Sequence, residues 1–300
     1  MNQRTLAKAF SFEGKGLHTG RYSHVSVLPA GADSGIVFRR TDLGGAEIAA
    51  LAENVSSTAR STTLSSGEAS VATVEHILSA LTGMGIDNAE IEIDNIEMPI
   101  LDGSASVYTD AIAKAGTAEQ DAPRRYVSLS EPVEISNPET GSFVRLEPAE
   151  DTSYGITVDF GSKVLGIQEA SFSSGDDYAA EIGPCRTFCF FHELEFLLGN
   201  NLIKGGDVDN AIVIVEHPVS REQLEKISTL FGKSGLEVVG EGYLNNLTLH
   251  FPNECGRHKL LDLIGDMRLT GGFLRARVTA FKPGHSINTQ AALAVRKNMQ

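Results

Sequence analysis

Arg257-His258-Lys259-Leu260-Leu261-Asp262-Leu263-Ile264-Gly265-Asp266-Met267-Arg268 is the stretch on which the fold turns. Wound as a helix at about 100° per residue, it sets Leu260, Leu263, Ile264 and Met267 on one side as a core-facing stripe. His258, Asp262 and Asp266 fall at i, i+4 and i+8 on the other side. An imidazole and a carboxylate four residues apart lie one above the other, close enough to share an ion. Taken alone, the same spacing also describes a solvated polar face, because H-x-x-x-D is a weak motif. The remainder of the chain has to separate the two.

Working outward, the helix spans about 257–269 and is followed by Gly271-Gly272, a strand at 273–281, the loop Lys282-Pro283-Gly284-His285 and a helix at 286–297. The first third has the same order of elements. A helix at about 71–82 carries the stripe Val74, Ile77, Leu78 and Leu81; after Gly83-Met84-Gly85 come an alternating strand at 88–94, a Gly-containing loop at 98–104 and a helix at 105–115, capped by Ser104 or Ser106. No residue-level repeat accompanies this order. It predicts an α+β fold of two similar halves. Residues 116–125 are polar, contain Pro123 and lack periodicity, so the boundary is drawn there, giving domains 1–120 and 121–300.

Short strands are expected at 24–28 and 35–40, and again at 126–129, 142–146 and 154–159. A helix is expected at about 190–198, a strand at 211–215, and helix, turn and strand across 219–250. His192-Glu193 invites a zincin reading, but the second histidine that motif needs would be at the position of Phe196.

With 25 Lys and Arg against 39 Asp and Glu, the net charge is -14, and no basic patch suggests a nucleic-acid partner. Cys185, Cys189 and Cys255 are an odd number, fitting a reducing cytoplasm better than a disulfide framework. Residues 1–12 lack the apolar core of a signal peptide, and no apolar run approaches a membrane span. A cytoplasmic protein acting as a monomer is expected.

If the halves pack face to face, His76 on one helix meets His258 and Asp262 on the other, at an interface of the kind where sites form. Two His and one Asp make a three-ligand set with an open position, the arrangement of catalytic rather than structural zinc. Glu75 lies beside a ligand, where it can take a proton from water. His285, in its loop, can give one to a leaving group, with Asp266 orienting it. Lys259 is the nearest cation. Each of these is also an ordinary surface residue when considered singly.

Thr73-Val74-Glu75-His76, Gly85-Ile86-Asp87-Asn88, Met98-Pro99-Ile100-Leu101-Asp102-Gly103-Ser104, Arg186-Thr187-Phe188, His258-Lys259-x-x-Asp262-x-x-Gly265-Asp266 and Phe281-Lys282-x-Gly284-His285-x-x-Asn288 together carry a resemblance. With the loop Gly16-Leu17-His18-Thr19-Gly20, they make nearly the whole chain resemble the bacterial UDP-3-O-acyl-N-acetylglucosamine deacetylases, zinc amidases of lipid A synthesis. The resemblance implies two two-layer α/β-sandwich domains with helices between the sheets and the active site at their interface. It implies one zinc per chain, or iron(II) in the cell, on His76, His258 and Asp262. Glu75 is then the general base, Thr187 the oxyanion donor, and His285, paired with Asp266, the partner of the leaving amine. Lys259 contacts substrate near the reacting centre, and His18, Phe188 and Lys282 border the nucleotide-sugar side.

Two positions depart from the family pattern: Cys189 stands where a Gly is frequent, and the polar residue expected a few positions on is read as Glu193. A non-catalytic sugar-nucleotide-binding protein would have lost Glu75 or a ligand, and none is missing. A hydrolase for another N-acyl sugar stays open, because apolar acyl pockets have no legible code.

Overall fold

Val25 and Val27 alternate with polar residues, so strand β3 (Tyr22–Pro29) has one buried and one wetter face. The computed structural model describes residues 1–194, 204–207, 209–240 and 242–299. After β1 (Asn2–Leu6), the chain forms β2 (Phe10–Lys15), β3, β4 (Ile36–Arg40) and β5 (Ala46–Ala49). It then makes a small antiparallel sheet from β6 (Val55–Ser57), β7 (Thr63–Ser66) and β8 (Ala69–Ala72). Helix α1 (Glu75–Gly83), strand β9 (Ala89–Ile93) and helix α2 (Ser106–Ala115) complete the first half. The main sheet has the order β2-β3-β9-β4-β5; only β4 and β9 run parallel.

The second half repeats this plan. Beyond β10 (Thr117–Pro123) and β11 (Tyr126–Ser128), β12 (Val133–Asn137), β13 (Ser142–Pro148), β14 (Ser153–Asp159) and β15 (Ile167–Ser173) take the roles of β2 to β5. An insertion follows, with the short helix α3 (Tyr178–Glu181), the parallel pair β16 (Phe188–Phe190) and β17 (Ile212–Ile214), and helix α4 (Arg221–Phe231). Then come α5 (Glu254–Met267), β18 (Phe273–Phe281) and α6 (His285–Met299). The order is β12-β13-β18-β14-β15, again with the latest strand in the middle, antiparallel to β13 and parallel to β14, while β11 adds a second parallel pairing alongside β18.

Helices α1 and α5 pack on each other, and α5 also lies against β14 and β15. The stripe Leu260, Leu263, Ile264 and Met267 is buried as its spacing predicts, but so are His258, Asp262 and Asp266 opposite. The polar side of α5 is therefore interior, and its groups need partners there. Gly265 makes the approach possible: a Cβ at this position would lie 2.1 Å from the Glu75 carbonyl oxygen. One apolar cluster, from Leu6 to Val295, runs through both halves.

Three expectations are corrected. The helix expected at 71–82 begins at Glu75, because Val71 and Ala72 pair with Leu64 and Thr63 and the chain then turns through a left-handed Thr73 (φ 60°). The stretch 116–125, read as a linker, holds β10, which pairs antiparallel with β1. Its half-buried residues are Ala118, Gln120 and Ala122; Gln120 accepts from Asn88 at 2.7 Å and the alanines are small, so no strong apolar alternation marks it. Phe188–Phe190 is a strand at the start of the helix expected at 190–198; helical turns cover 191–194, and the rest lies outside the described residues.

Candidate metal centre and its two chambers

His76 stands at the start of α1, and His258 and Asp262 one turn apart on α5, so the packing of these helices decides whether the three meet. They do. Their ligating atoms lie within 4.8 Å of one another. Asp262 Oδ1 is 3.5 Å from His258 Nε2 and 3.8 Å from His76 Nε2, and the two imidazoles stand perpendicular. Asp262 Oδ1 is buried without a hydrogen-bond partner. An orphaned carboxylate oxygen beside two imidazole nitrogens is a costly arrangement in itself, and a divalent cation resolves it.

The surroundings prepare the donors. His258 Nδ1 donates to the Cys185 carbonyl at 3.0 Å, which leaves the Nε2 lone pair free. Burial pushes His258 below its ordinary pKa and, helped by His258, pushes His76 down to about 3, so both rings are neutral. Burial opposes the charge on Asp262, but Lys259, donating to Oδ2 at 2.7 Å, holds its carboxyl far below the usual range. The residues present fit a metal, with three donors and room for more ligands.

Glu75 and His285 flank this centre. Glu75 is 3% exposed; burial pushes its pKa up to about 7 against the pull of His285. The Thr62 backbone N–H donates to Glu75 Oε2 at 3.0 Å, while Oε1 is 3.8 Å from His285 Nε2. Burial works against an imidazolium at His285, but Asp266 and Glu75 outweigh it, and the pKa rises to about 9. Asp266 holds the ring through Nδ1 at 3.0 Å and is itself fixed by the Thr62 hydroxyl (2.6 Å) and Asn288 Nδ2 (2.9 Å).

Two chambers meet here. The inner one contains the three candidate ligands with Glu75, Lys259 and His285. The outer one is largely apolar, with Cys189, Leu194, Ala211, Val213 and Phe231 in its walls and Glu193 among its polar groups. Leu17, His18, Arg60, Thr187 and Phe188 line both. The insertion carrying Thr187 is fixed at both ends. Arg186 is clamped by buried Glu254, the first residue of α5, through Nε at 2.8 Å and its backbone N–H at 3.1 Å. The Thr187 N–H donates to the Gly103 carbonyl at 2.8 Å. Gly103 has φ 79°, and a Cβ there would lie 1.9 Å from the Asn210 carbonyl oxygen, so this junction needs glycine. Buried Glu97 holds the other wall by accepting from the His18 and Thr19 N–H groups at 2.8 Å.

Most of the residues singled out from the sequence thus converge: His76, His258, Asp262, Glu75, Lys259 and His285 in the inner chamber, Thr187, Phe188 and His18 at the junction, Asp266 behind His285, and Glu193 in the outer chamber. Lys282 lines neither chamber and pairs instead with Asp159 at 3.4 Å. Arg60, Thr62 and the Cys185 carbonyl escaped sequence reasoning. They belong to stretches without periodicity, and Thr62 reaches Glu75 and Asp266 only in three dimensions.

The family model described as UDP-3-O-acyl N-acetylglycosamine deacetylase matches residues 3–228 and 233–297. The bifunctional enzyme LpxC/FabZ of Porphyromonas gingivalis is 44% identical over 299 residues, covering 99% of this chain and 65% of that protein. The chain therefore spans about two thirds of the length of such bifunctional relatives. UDP-3-O-acyl-N-acetylglucosamine deacetylases of Anaeromyxobacter dehalogenans and Trichormus variabilis are 41% and 40% identical, over 96% and 97% of this chain and 85% and 97% of theirs. No helix among the described residues is long and apolar enough to cross a membrane.

Proposed function

The chain belongs to the UDP-3-O-acyl N-acetylglycosamine deacetylase family, and from that premise we propose that it hydrolyses the N-acetyl group of a UDP-3-O-acyl-N-acetylglucosamine. Water and the acetamide give acetate and the free amine, the committed step towards lipid A. The observation that carries this is the unpartnered Asp262 Oδ1 between two imidazole Nε2 atoms, with Glu75 and His285 on either side.

His76, His258 and Asp262 would hold one zinc per chain, and iron(II) suits the same donors. Bound there, the metal supplies Lewis acidity to the acetamide carbonyl and the attacking water. Glu75, held at Oε2 by the Thr62 N–H, takes the proton of that water. The Thr187 hydroxyl and Lys259 stabilise charge on the carbonyl oxygen. His285, held as imidazolium by Asp266, protonates the departing nitrogen. The apolar outer chamber suits the acyl chain, with Phe188 and His18 at the turn towards the nucleotide; Lys282 and Glu193 contribute farther out. We read two domains, 1–120 and 121–300, because the sheet order repeats on either side, with the end of β10 to Pro123 going with the first through its pairing with β1, and we take the enzyme to work as a cytoplasmic monomer.

The test is to incubate purified protein with the UDP-acyl-sugar, with and without a chelator, and to follow acetate by mass spectrometry. Chelator-sensitive release is expected. No acetate from metal-loaded protein would sink the proposal.

A further inference from the structure

We infer that Arg60 is a specificity residue for this substrate, pairing with its diphosphate where the two chambers join. The inference rests on the deacetylase reading above. If the acetamide lies at the metal centre and the acyl chain in the outer chamber, the anionic group belongs near their common wall. Arg60 is in that wall, exposed to solvent, and lines both chambers.

The neighbouring cations each have a carboxylate partner. Lys259 is bound to Asp262 at 2.7 Å, Lys282 to Asp159 at 3.4 Å, and His285 to Asp266 at 3.0 Å. Arg60 makes no hydrogen bond or ion pair with any described residue, although Glu193 and Asp207 line the same outer chamber. In a chain of net charge -14, a free guanidinium at the mouth is a local exception. Its planar fork matches phosphate oxygens better than an ammonium does.

The backbone supplies a second observation. Arg60 has φ 71°, a conformation that glycine adopts freely and other residues rarely do. The next two residues are buried, and Thr62 is anchored to Glu75 and Asp266. The turn that delivers Thr62 to the proton-transfer groups therefore also fixes where Arg60 starts. Glycine would make the same turn without strain, so the turn itself does not explain an arginine here.

That strain makes a clean test. R60G should fold at least as well as the parent, checked by Tm, while losing the guanidinium; R60K keeps a charge without the fork. Binding of UDP, and of uridine as a phosphate-free control, is measured by calorimetry on the full chain. R60G should bind UDP roughly tenfold more weakly, with uridine unaffected and R60K between. The difference should shrink as salt is raised. With the acylated substrate, KM should rise while kcat holds. Equal UDP affinity in the parent and a folded R60G overturns this inference alone. A parent that neither binds UDP nor releases acetate overturns the deacetylase reading as well.

Discussion

The two main sheets have one strand order, but the segments inserted before α1 and α5 have little in common. In the first half the insertion is the small sheet β6-β7-β8, whose β6–β7 turn carries Arg60 and Thr62. In the second it is much longer and brings Thr187, Phe188 and the walls of the apolar chamber. The repeated frame sets the candidate metal donors, one on α1 and two on α5. On the proposed reading, the unlike insertions hold the proton-transfer groups and surround the substrate. On that reading, a duplicated scaffold keeps its candidate donors fixed while the insertions diverge.

The sharpest way to break this division is to remove one donor from each half. His76→Ala and His258→Ala should both lose metal, measured by elemental analysis, and drop turnover to background. Far-UV circular dichroism should stay native in each, and after chelation of the parent, because the apolar core has no metal in it. Full metal content in either variant would show that the halves do not share the ion.

Next in size is the base. Glu75→Gln is nearly isosteric and can still accept from the Thr62 N–H, so metal should stay while turnover falls roughly 10²- to 10⁴-fold. A loss of only a few-fold would move the base role to another group.

The pH profile links the frame to the first insertion. Glu75 must be ionised, so the rate should rise as pH climbs through about 7. His285 must be protonated, so the rate should fall as pH passes about 9. Asp266 raises the His285 value; Asp266→Asn should therefore move the basic limb to lower pH with metal retained. The limbs belong to a coupled pair, and an unmoved basic limb would detach Asp266 from the proton donor.

The smallest effect expected separates frame from insertion by two glycines. Gly265→Ala presses on the Glu75 carbonyl between α1 and α5, and should lower both stability, by roughly 1–3 kcal/mol, and metal affinity. Gly103→Ala presses on Asn210 in the second insertion. It should leave metal affinity alone and raise KM for the acylated substrate. Equal metal loss in both would mean that insertion and frame act as one unit.

The candidate site was more legible in the sequence than the strands around it. His258 and Asp262 are one helical turn apart, and the apolar stripe opposite them fixes the helix, so the period put them on one face; it took the motifs elsewhere in the chain to separate candidate donors from a solvated face. The start of α1 could not, because the left-handed turn at Thr73 breaks an apolar pattern that runs on from β8. Strand β10 was hidden because its partner β1 is at the other end of the half and its inner face has only two alanines around Gln120. Arg60 and Thr62 lie in a turn whose contacts, to Asp266 above all, span the whole chain.

The central position of β18 has a consequence for how the protein is made. In the first half, β9 joins the β2–β3 and β4–β5 hairpins by residue 93. In the second, β12–β13 and β14–β15 remain separate hairpins from the end of β15 at residue 173 until β18 begins at residue 273, 100 residues later. At about 5–20 residues per second, that interval is roughly 5–20 seconds. During it a nascent chain carries a closed first sheet and two open strand edges competent to pair with a neighbour. Ribosome stalling within 174–272 should therefore expose a sticky intermediate, and demand for chaperones should be concentrated there.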